Sequence, residues 1–256
     1  MPPHPDRLLG WPARKRTESV PGWSGPALVA SVTDMTIEVI LPCLNEATAL
    51  PWVLDRLPAG YQALVVDNGS TDGSGEIARA RGVRTVRAEQ RGYGSACHAG
   101  LVAATAQVVV IMDCDGSLDP VDLPALVLPI DMGEADLVVG RRRARGRGAY
   151  PWKLRLANAA LARQLRRRAG LVIFDCGPVR AATRTTLMSL NVQDRRSGYP
   201  VETLVKAAAA GLRVRQVDVV YLPRQGRSKV TGTPLGALTA VRDSLAVLDQ
   251  VKPAAR

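Results

Sequence analysis

The sequence predicts an α/β fold: a mostly parallel, doubly wound sheet with helices on both faces. Three observations carry the prediction. Short β-branched runs alternate with helical patterns from Thr36 onward, the rhythm of strands joined by crossover helices. Polar clusters, "PCLNEA", "DNGSTDGSG" and "DCDGSLDP", follow the first, second and fourth of those runs. Strand carboxyl ends are where such sheets bind ligands, so the three clusters are expected to meet in one crevice. At 256 residues and 46% hydrophobic, the chain is also long enough to bury a sizeable core.

The elements follow in order. "TIEVIL" (36–41), "ALVVD" (63–67), "VRTVRA" (83–88), "VVVIMD" (108–113) and "ADLVVG" (135–140) read as strands, being short and β-branched with turn residues after them. The stretches 47–57, 73–81, 94–104 and 121–128 read as helices between them. A further helix, "PWKLRLANAALARQLRRR", has Leu154, Ala157, Leu161 and Leu165 on one side and cations elsewhere. With Trp152 at its start, it suits either packing on the sheet or lying on an anionic membrane. The segment from Gly198 to Tyr221 reads as one more helix and strand. Residues 1–34 are rich in Pro, Gly and polar residues without the apolar centre of a signal peptide, and are expected to be a flexible tail. Met35 directly precedes the first strand, so translation starting there is an alternative. One domain is expected over 35–250, with halves at about 36–145 and 146–250, and a short tail at 251–256.

Charge narrows the partners. Lys and Arg number 34 against 23 Asp and Glu, for a net charge of +11 and a pI near 10.2. That balance favours nucleic acid, phosphorylated metabolites or an anionic membrane. Nucleic acid fits poorly: aromatics are 4%, the runs "GRRRARGRG" and "RQLRRRAG" lack interleaved stacking residues, and no helix-turn-helix or zinc pattern occurs. The four cysteines form no C-x-x-C pair, so neither a zinc site nor a disulfide framework is indicated and a reducing cytoplasm is expected. No apolar run reaches the roughly 18 residues of a membrane span.

The most informative stretch is "VVVIMDCDGSLDP", in which Asp113, Asp115 and Asp119 crowd the end of the most strand-like segment. Asn, Gly, Ser and Asp are ordinary turn and capping residues, so each polar cluster alone has a structural explanation. Helix capping uses one acceptor, however, and leaves a second carboxylate on the same loop without a reason. Paired carboxylates that share a cation with a substrate diphosphate supply one, and Mg²⁺ or Mn²⁺ is the expected ion. Cys114, between the two, is expected to point into the sheet.

Taken in order, "VILPCLNEATAL", "LVVDNGSTDGSGEIA", "RGYGSACHAGL", "VVVIMDCDGSLDP" and "ADLVVGRRR" resemble the nucleotide-sugar domain of inverting family-two glycosyltransferases, above all the dolichyl- or polyprenyl-phosphate sugar synthases. The resemblance spans about residues 36–145, and "GYPVETLVKAAAAGLRVRQVDVVYLPRQGRSK" is similar to the later segment of those synthases. It implies a GT-A type, Rossmann-like fold with an acceptor-side extension. It also implies roles: Pro42, Asn45 and Glu46 beside the nucleotide, Asp67 and Asn68 near its base and ribose, and Asp113 and Asp115 on the donor and its metal. Arg141 matches the arginine of the family's "GSR" pattern, which suits phosphate. Arg224, Ser228 and Lys229 would line the phosphate and acceptor side, with Asp115, Arg141 and Lys229 closest to the chemistry. Two departures stand out. Asn68 replaces the second Asp of "DDGS", and "DCDGSLDP" replaces the mannosyl synthases' "DADLQHPP", which tilts the expected donor from GDP-mannose towards UDP-glucose.

The implied activity is inverting transfer of a hexose from a nucleotide sugar to a polyprenyl or dolichyl phosphate at the cytoplasmic membrane face. A phosphate acceptor is already an anion and attacks without an enzymic base. A soluble or glycan hydroxyl acceptor is the alternative, and would require a base such as Asp194 or Glu202. A sugar nucleotidyltransferase would share the sheet but should open with a Gly-rich loop, where this chain has "PCLNEA".

Overall fold

The computed structural model describes residues 35–225, 242–244 and 246–248. The expected tails at 1–34 and 251–256, and Ser228 and Lys229, lie outside them. Seven strands form one sheet: β1 (Ile37–Cys43), β2 (Tyr61–Asp67), β3 (Arg84–Arg87), β4 (Val108–Ile111), β5 (Leu137–Ala144), β6 (Arg180–Thr183) and β7 (Val214–Tyr221), in the order β3-β2-β1-β4-β6-β5-β7. Pairing is parallel except for β6, which runs antiparallel to both β4 and β5. The helices are α1 (Leu50–Asp55), α2 (Ser74–Ala80), α3 (Tyr93–Ala103), α4 (Leu123–Asp131), α5 (Trp152–Ala169), α6 (Arg184–Ser189) and α7 (Tyr199–Ala209). The chain winds outward from β1 to β3, then crosses back to β4 beside β1. That reversal is the switch point at which doubly wound sheets open a crevice.

Alternation along the strands divides the core in two. Ile40, Leu64, Val66 and Ile111 meet α3, α5, α6 and α7 on one face, while Val39, Leu41, Val65 and Val110 meet α1, α2 and α4 on the other. β4 is buried throughout, which explains why it reads as a continuous apolar run rather than an alternating one.

Three features depart from the sequence expectation. β6 was not anticipated, because "RAAT" has none of the β-branched density of its neighbours; its alanines are fully buried between β4 and β5, where packing decides. β5 does not end at Gly140 but runs on to Ala144, because β7 pairs with it along its whole length, from Leu137↔Val214 to Ala144↔Tyr221. The arginine run is therefore strand, and successive arginines face opposite sides of the sheet. On α5, the inward stripe comprises Ala162 and Leu165, both buried, with Leu161 packed against them, whereas Ala157 is exposed. The stripe thus serves the core, and Trp152 and Leu156 are left outside at 66% and 61% exposure.

Gly100 sets how closely α3 approaches the sheet. A Cβ there would lie 2.3 Å from Ile40 Cγ2 and 2.9 Å from Val66 Cγ2. Although alanine is the better helix former, Gly100→Ala is expected to destabilise the fold by about 1–3 kcal/mol through overpacking. Urea unfolding measures this, and an unchanged midpoint would mean that the helix shifts freely.

Candidate active site

The crevice is built from strand ends, and its first wall consists of two loops tied together. Asn45 sits at φ 55°, a left-handed position that asparagine tolerates. Its backbone N–H donates to Ser70 Oγ at 3.0 Å, and its Oδ1 accepts from Thr71 N at 2.7 Å. Glu46 N donates to Ser74 Oγ at 2.9 Å and Ala47 N to Asp72 Oδ2 at 2.9 Å. Asp67 Oδ1 accepts from Ser70 N at 2.8 Å, which shapes the turn after β2. The turn-like "DNGSTDGS" therefore has a structural duty: it holds Asn45 and Glu46 in place.

Asn68 explains its departure from the family pattern. It is buried, its Nδ2 donates to Gly92 O at 3.0 Å, and its Oδ1 accepts from Gly92 N at 3.3 Å. The amide is engaged at both ends, so what Asn68 offers a ligand is the position of the Gly92 loop. An aspartate could accept from Gly92 N but not donate to Gly92 O.

The second wall is the loop after β4. Asp115 is buried; its Oδ1 accepts from Ser117 N at 2.9 Å, and its Oδ2 is paired with Arg224. Arg224 also stands 4.0 Å from Glu46 Oε1. The segment after β7 closes over this loop, with Leu222 N donating to Ser117 O and Gln225 N to Asp115 O, both at 2.8 Å. Burial and the neighbouring Asp115 charge push the Asp113 carboxyl up to about 7, against the pull of Arg224, the Tyr93 hydroxyl and Arg142. Cys114 turns into the core as expected, donating to Pro42 O at 3.1 Å beside the Cys43 thiol.

Asp119 has a different partner. Arg56 grips it with both Nε and Nη2, at 3.0 and 2.8 Å, and it accepts from Val121 N at 3.2 Å. The protein thus supplies the counter-charge of the third aspartate itself. The other two carry the cation argument. Among the described residues no third carboxylate, histidine or cysteine joins them, and the buried Arg224 Nε and Gln225 Oε1 have no hydrogen-bond partner. Two carboxylates with the unpaired carbonyl oxygen of Gln225 beside them fit a hard divalent ion whose remaining oxygens come from substrate and water, while the free Arg224 Nε–H suits a phosphate oxygen.

Arg141 and Arg142, neighbours on β5, have different partners. Arg141 lies over the Phe174 ring at 4.8 Å, with its Nε 3.9 Å from Asp218 Oδ1. Arg142, on the opposite face of β5, forks onto buried Asp175 at 2.6 and 2.9 Å and stacks on Tyr150 and Tyr221, at 4.4 and 5.5 Å. Arg142 is the β5 guanidinium whose field acts on Asp113. Arg142 is the second residue after Gly140, the place of the arginine in the "GSR" pattern. The two carboxylates weighed as bases for a hydroxyl acceptor both accept from backbone N–H groups. Asp194 Oδ1 accepts from Arg196 N and Gly198 N, at 2.7 and 3.1 Å. Glu202 accepts from Gln193 N at 2.9 Å and Asp194 N at 2.6 Å, and it pairs with Lys206. Burial would raise its pKa, but these partners outweigh it and hold the carboxyl below the ordinary range.

Asn68→Asp, which would restore the family's paired aspartates, should remove the donor to Gly92 O and set two acceptors against each other. The expected cost is about 1–3 kcal/mol of stability, read by thermal unfolding. Equal stability of the two proteins would show that the Gly92 loop does not depend on this amide.

Comparison with known proteins agrees with this site. The model of glycosyl transferase family 2 matches residues 38–189. An uncharacterized glycosyltransferase of Mycobacterium tuberculosis is 50% identical over 208 residues, 81% of this chain and 95% of that protein. The dolichyl-phosphate hexose transferase of Haloferax volcanii is 32% identical over 76% of this chain and 86% of its own length. Among solved structures, glucosyl-3-phosphoglycerate synthase from Mycobacterium tuberculosis, in complex with Mn²⁺, UDP and glucosyl-3-phosphoglycerate, superimposes with a TM-score of 0.69 at 30% identity, covering 91% of this chain and 85% of that one. The sheet is thus of the GT-A type, and the chain belongs to glycosyl transferase family 2.

Proposed function

We propose that this enzyme moves a hexose from a nucleotide sugar to a polyprenyl or dolichyl phosphate, with inversion, at an anionic membrane face. The observation that carries the reading is the Asp113–Asp115 pair at the switch point, with Arg224 paired to Asp115. Mg²⁺ or Mn²⁺ held by Asp113 and Asp115 would supply positive charge to the departing nucleoside diphosphate. Synthase structures with Mn²⁺ and UDP-glucose, and with Mg²⁺ and UDP, support that ion and favour UDP-glucose over GDP-mannose. Asn45, Glu46, Asp67 and the backbone of Pro42 border the nucleotide, while Asn68 holds the Gly92 loop against it. Arg224 would release Asp115 to the ion and turn to the diphosphate, where its always-charged fork stabilises developing charge. Arg141, Ser228 and Lys229 are assigned to the acceptor side.

The acceptor follows from the bases. With Asp194 and Glu202 both bound into the backbone, a nucleophile already ionised at neutral pH suits the site better than a hydroxyl. The Haloferax relative supports a lipid phosphate. The surface supports it too: Trp152, Leu156, Val172 and Phe174 are exposed beside the exposed Arg155, Arg163, Arg166 and Arg167. Among the described residues no helix is long and apolar enough to cross a membrane, so contact would be peripheral. A soluble phosphorylated acceptor is the second reading, favoured by the synthase structures with phosphoglyceric acid.

Asp113→Asn and Asp115→Asn should each lower metal-dependent hexose transfer by at least about 100-fold while circular dichroism stays native, since several kcal/mol of charge stabilisation would be lost. Near-normal turnover in both would exclude the metal role. Separately, replacing Arg163, Arg166 and Arg167 by Gln should weaken partitioning onto anionic vesicles by roughly 100-fold at low salt, at about 1 kcal/mol per cation. Unchanged partitioning would remove the membrane reading and advance the soluble acceptor.

A further inference from the structure

The first turn of α3 is closed by a loop from the later half of the chain. A helix leaves the N–H groups of its first turn without partners inside itself, and Gly92, the residue before α3, has no side chain to cap them. Gly94 N donates instead to Arg196 O at 3.0 Å, and Ser95 N to Arg195 O at 2.8 Å. The contact is backbone against backbone: a Cβ on Gly92 would lie 2.1 Å from Arg195 O, and one on Gly94 2.4 Å from Asp194 O. Asp194 gives that loop its shape through one atom, Oδ1, which accepts from both Arg196 N and Gly198 N. Glu202 holds the start of the loop through Gln193 N and Asp194 N. On its other side the same helical turn meets both walls of the crevice. Gly92 is gripped by the Asn68 amide, and the buried hydroxyl of Tyr93 lies beside Asp113.

We infer that Asp194 is a positioning residue for the donor: it fixes the 194–196 carbonyls that cap α3, and through Gly92 and Tyr93 these set how the Asn68 loop stands against the Asp113–Asp115 pair. The inference rests on the reading of that crevice as the donor site, and it adds the element of the later half that keeps the two walls in register. With no acceptor for Arg196 N and Gly198 N, the loop is no longer bound to one shape. Two donors in the first turn of α3 then lose their fixed partners, and the walls of the crevice can separate. A displacement of about 1 Å at such a distance from the chemistry can cost up to about 100-fold in rate. The role calls for an oxygen that accepts hydrogen bonds, and it involves no uptake of a proton. Asparagine retains that oxygen, whereas alanine does not.

The test compares Asp194→Asn with Asp194→Ala in the full chain. The probes are UDP and GDP, each with Mn²⁺, titrated calorimetrically without an acceptor, so that the result is independent of whether the acceptor is a lipid. For the nucleotide that the wild type binds more tightly, Asp194→Ala should weaken binding by roughly tenfold and Asp194→Asn by no more than about twofold, with turnover retained in the latter. Gly94→Ala approaches the same contact from α3, and by driving a Cβ against Asp194 O it should reproduce the loss of affinity with Asp194 intact. Thr183→Ala is the control for general loosening, since Thr183 caps α6 beside the start of β4, at the other end of the strand. It should lower Tm and leave nucleotide affinity unchanged. Unchanged affinity in Asp194→Ala, or an equal loss in Thr183→Ala, would overturn the inference. So would an Asp194→Asn protein that binds nucleotide normally and no longer turns over, because Asp194 would then be the base for a hydroxyl acceptor.

Discussion

Two carboxylates on one loop, at the end of a strand buried on both faces, are the constraint around which the rest of the site is arranged. Asp113 and Asp115 repel each other in a place where water screens poorly, and the strain is visible in the raised pKa of Asp113. The protein answers with cations from distant parts of the sequence. Arg224 arrives from beyond β7 and Arg142 from β5, and these two strands are paired to each other over eight registered positions. The far edge of the sheet thus carries Arg224 back to the loop after β4. Without a ligand Arg224 holds Asp115; with an ion between the aspartates, that guanidinium would be free for a phosphate.

What was legible in the sequence, and what was not, follows the same physics. β1, β2 and β4 show themselves because they lie in the sheet centre, where β-branched apolar residues are required on both faces. β6 is equally central but is built from Arg180, Ala181, Ala182 and Thr183, whose fit depends on neighbours far away in sequence. Loop chemistry was legible by type and less so by partner. The D-x-D spacing announced a charge problem, yet nothing local separates Asp119, matched by Arg56 just past α1, from Asp113, which is not so matched. The choice between Arg141 and Arg142 turned on strand period. Because β7 keeps β5 a strand as far as Ala144, neighbouring arginines alternate sides and meet different partners. Asn68 carried a signal of its own as a departure from pattern, and the structure assigns it a backbone glycine.

The net charge of +11 also acquires a location. Elsewhere on the sheet, arginines have acidic partners: Arg84 with Glu38, Arg213 with Asp136, Arg215 with Glu134. Such pairs contribute little to stability when exposed, but they cancel field. On the outer face of α5, exposed Arg155, Arg163, Arg166 and Arg167 make no ion pair among the described residues. A field of one sign beside exposed Trp152, Leu156 and Phe174 is the combination that draws an amphiphile carrying an anionic head.

These arrangements bear on how the transfer would be driven. A hydroxyl nucleophile must lose a proton as it attacks, which calls for an acceptor of suitable pKa within hydrogen-bond reach. Asp194 and Glu202 are occupied in shaping the 193–198 loop, and the partners that fix Glu202 lower its basicity. A phosphate nucleophile shifts the demand from proton transfer to charge management, since an anion has to approach a donor already carrying a diphosphate. Bringing those anions together costs more than any single hydrogen bond restores, unless fixed cations stand between them. Arg142 is a fixed cation, rigidly forked to Asp175, clasped by two tyrosine rings and permanently charged. A guanidinium so immobilised needs no reorganisation as charge moves from acceptor to leaving group. The arginines around β5 would supply fixed charge of this kind to a phosphate acceptor.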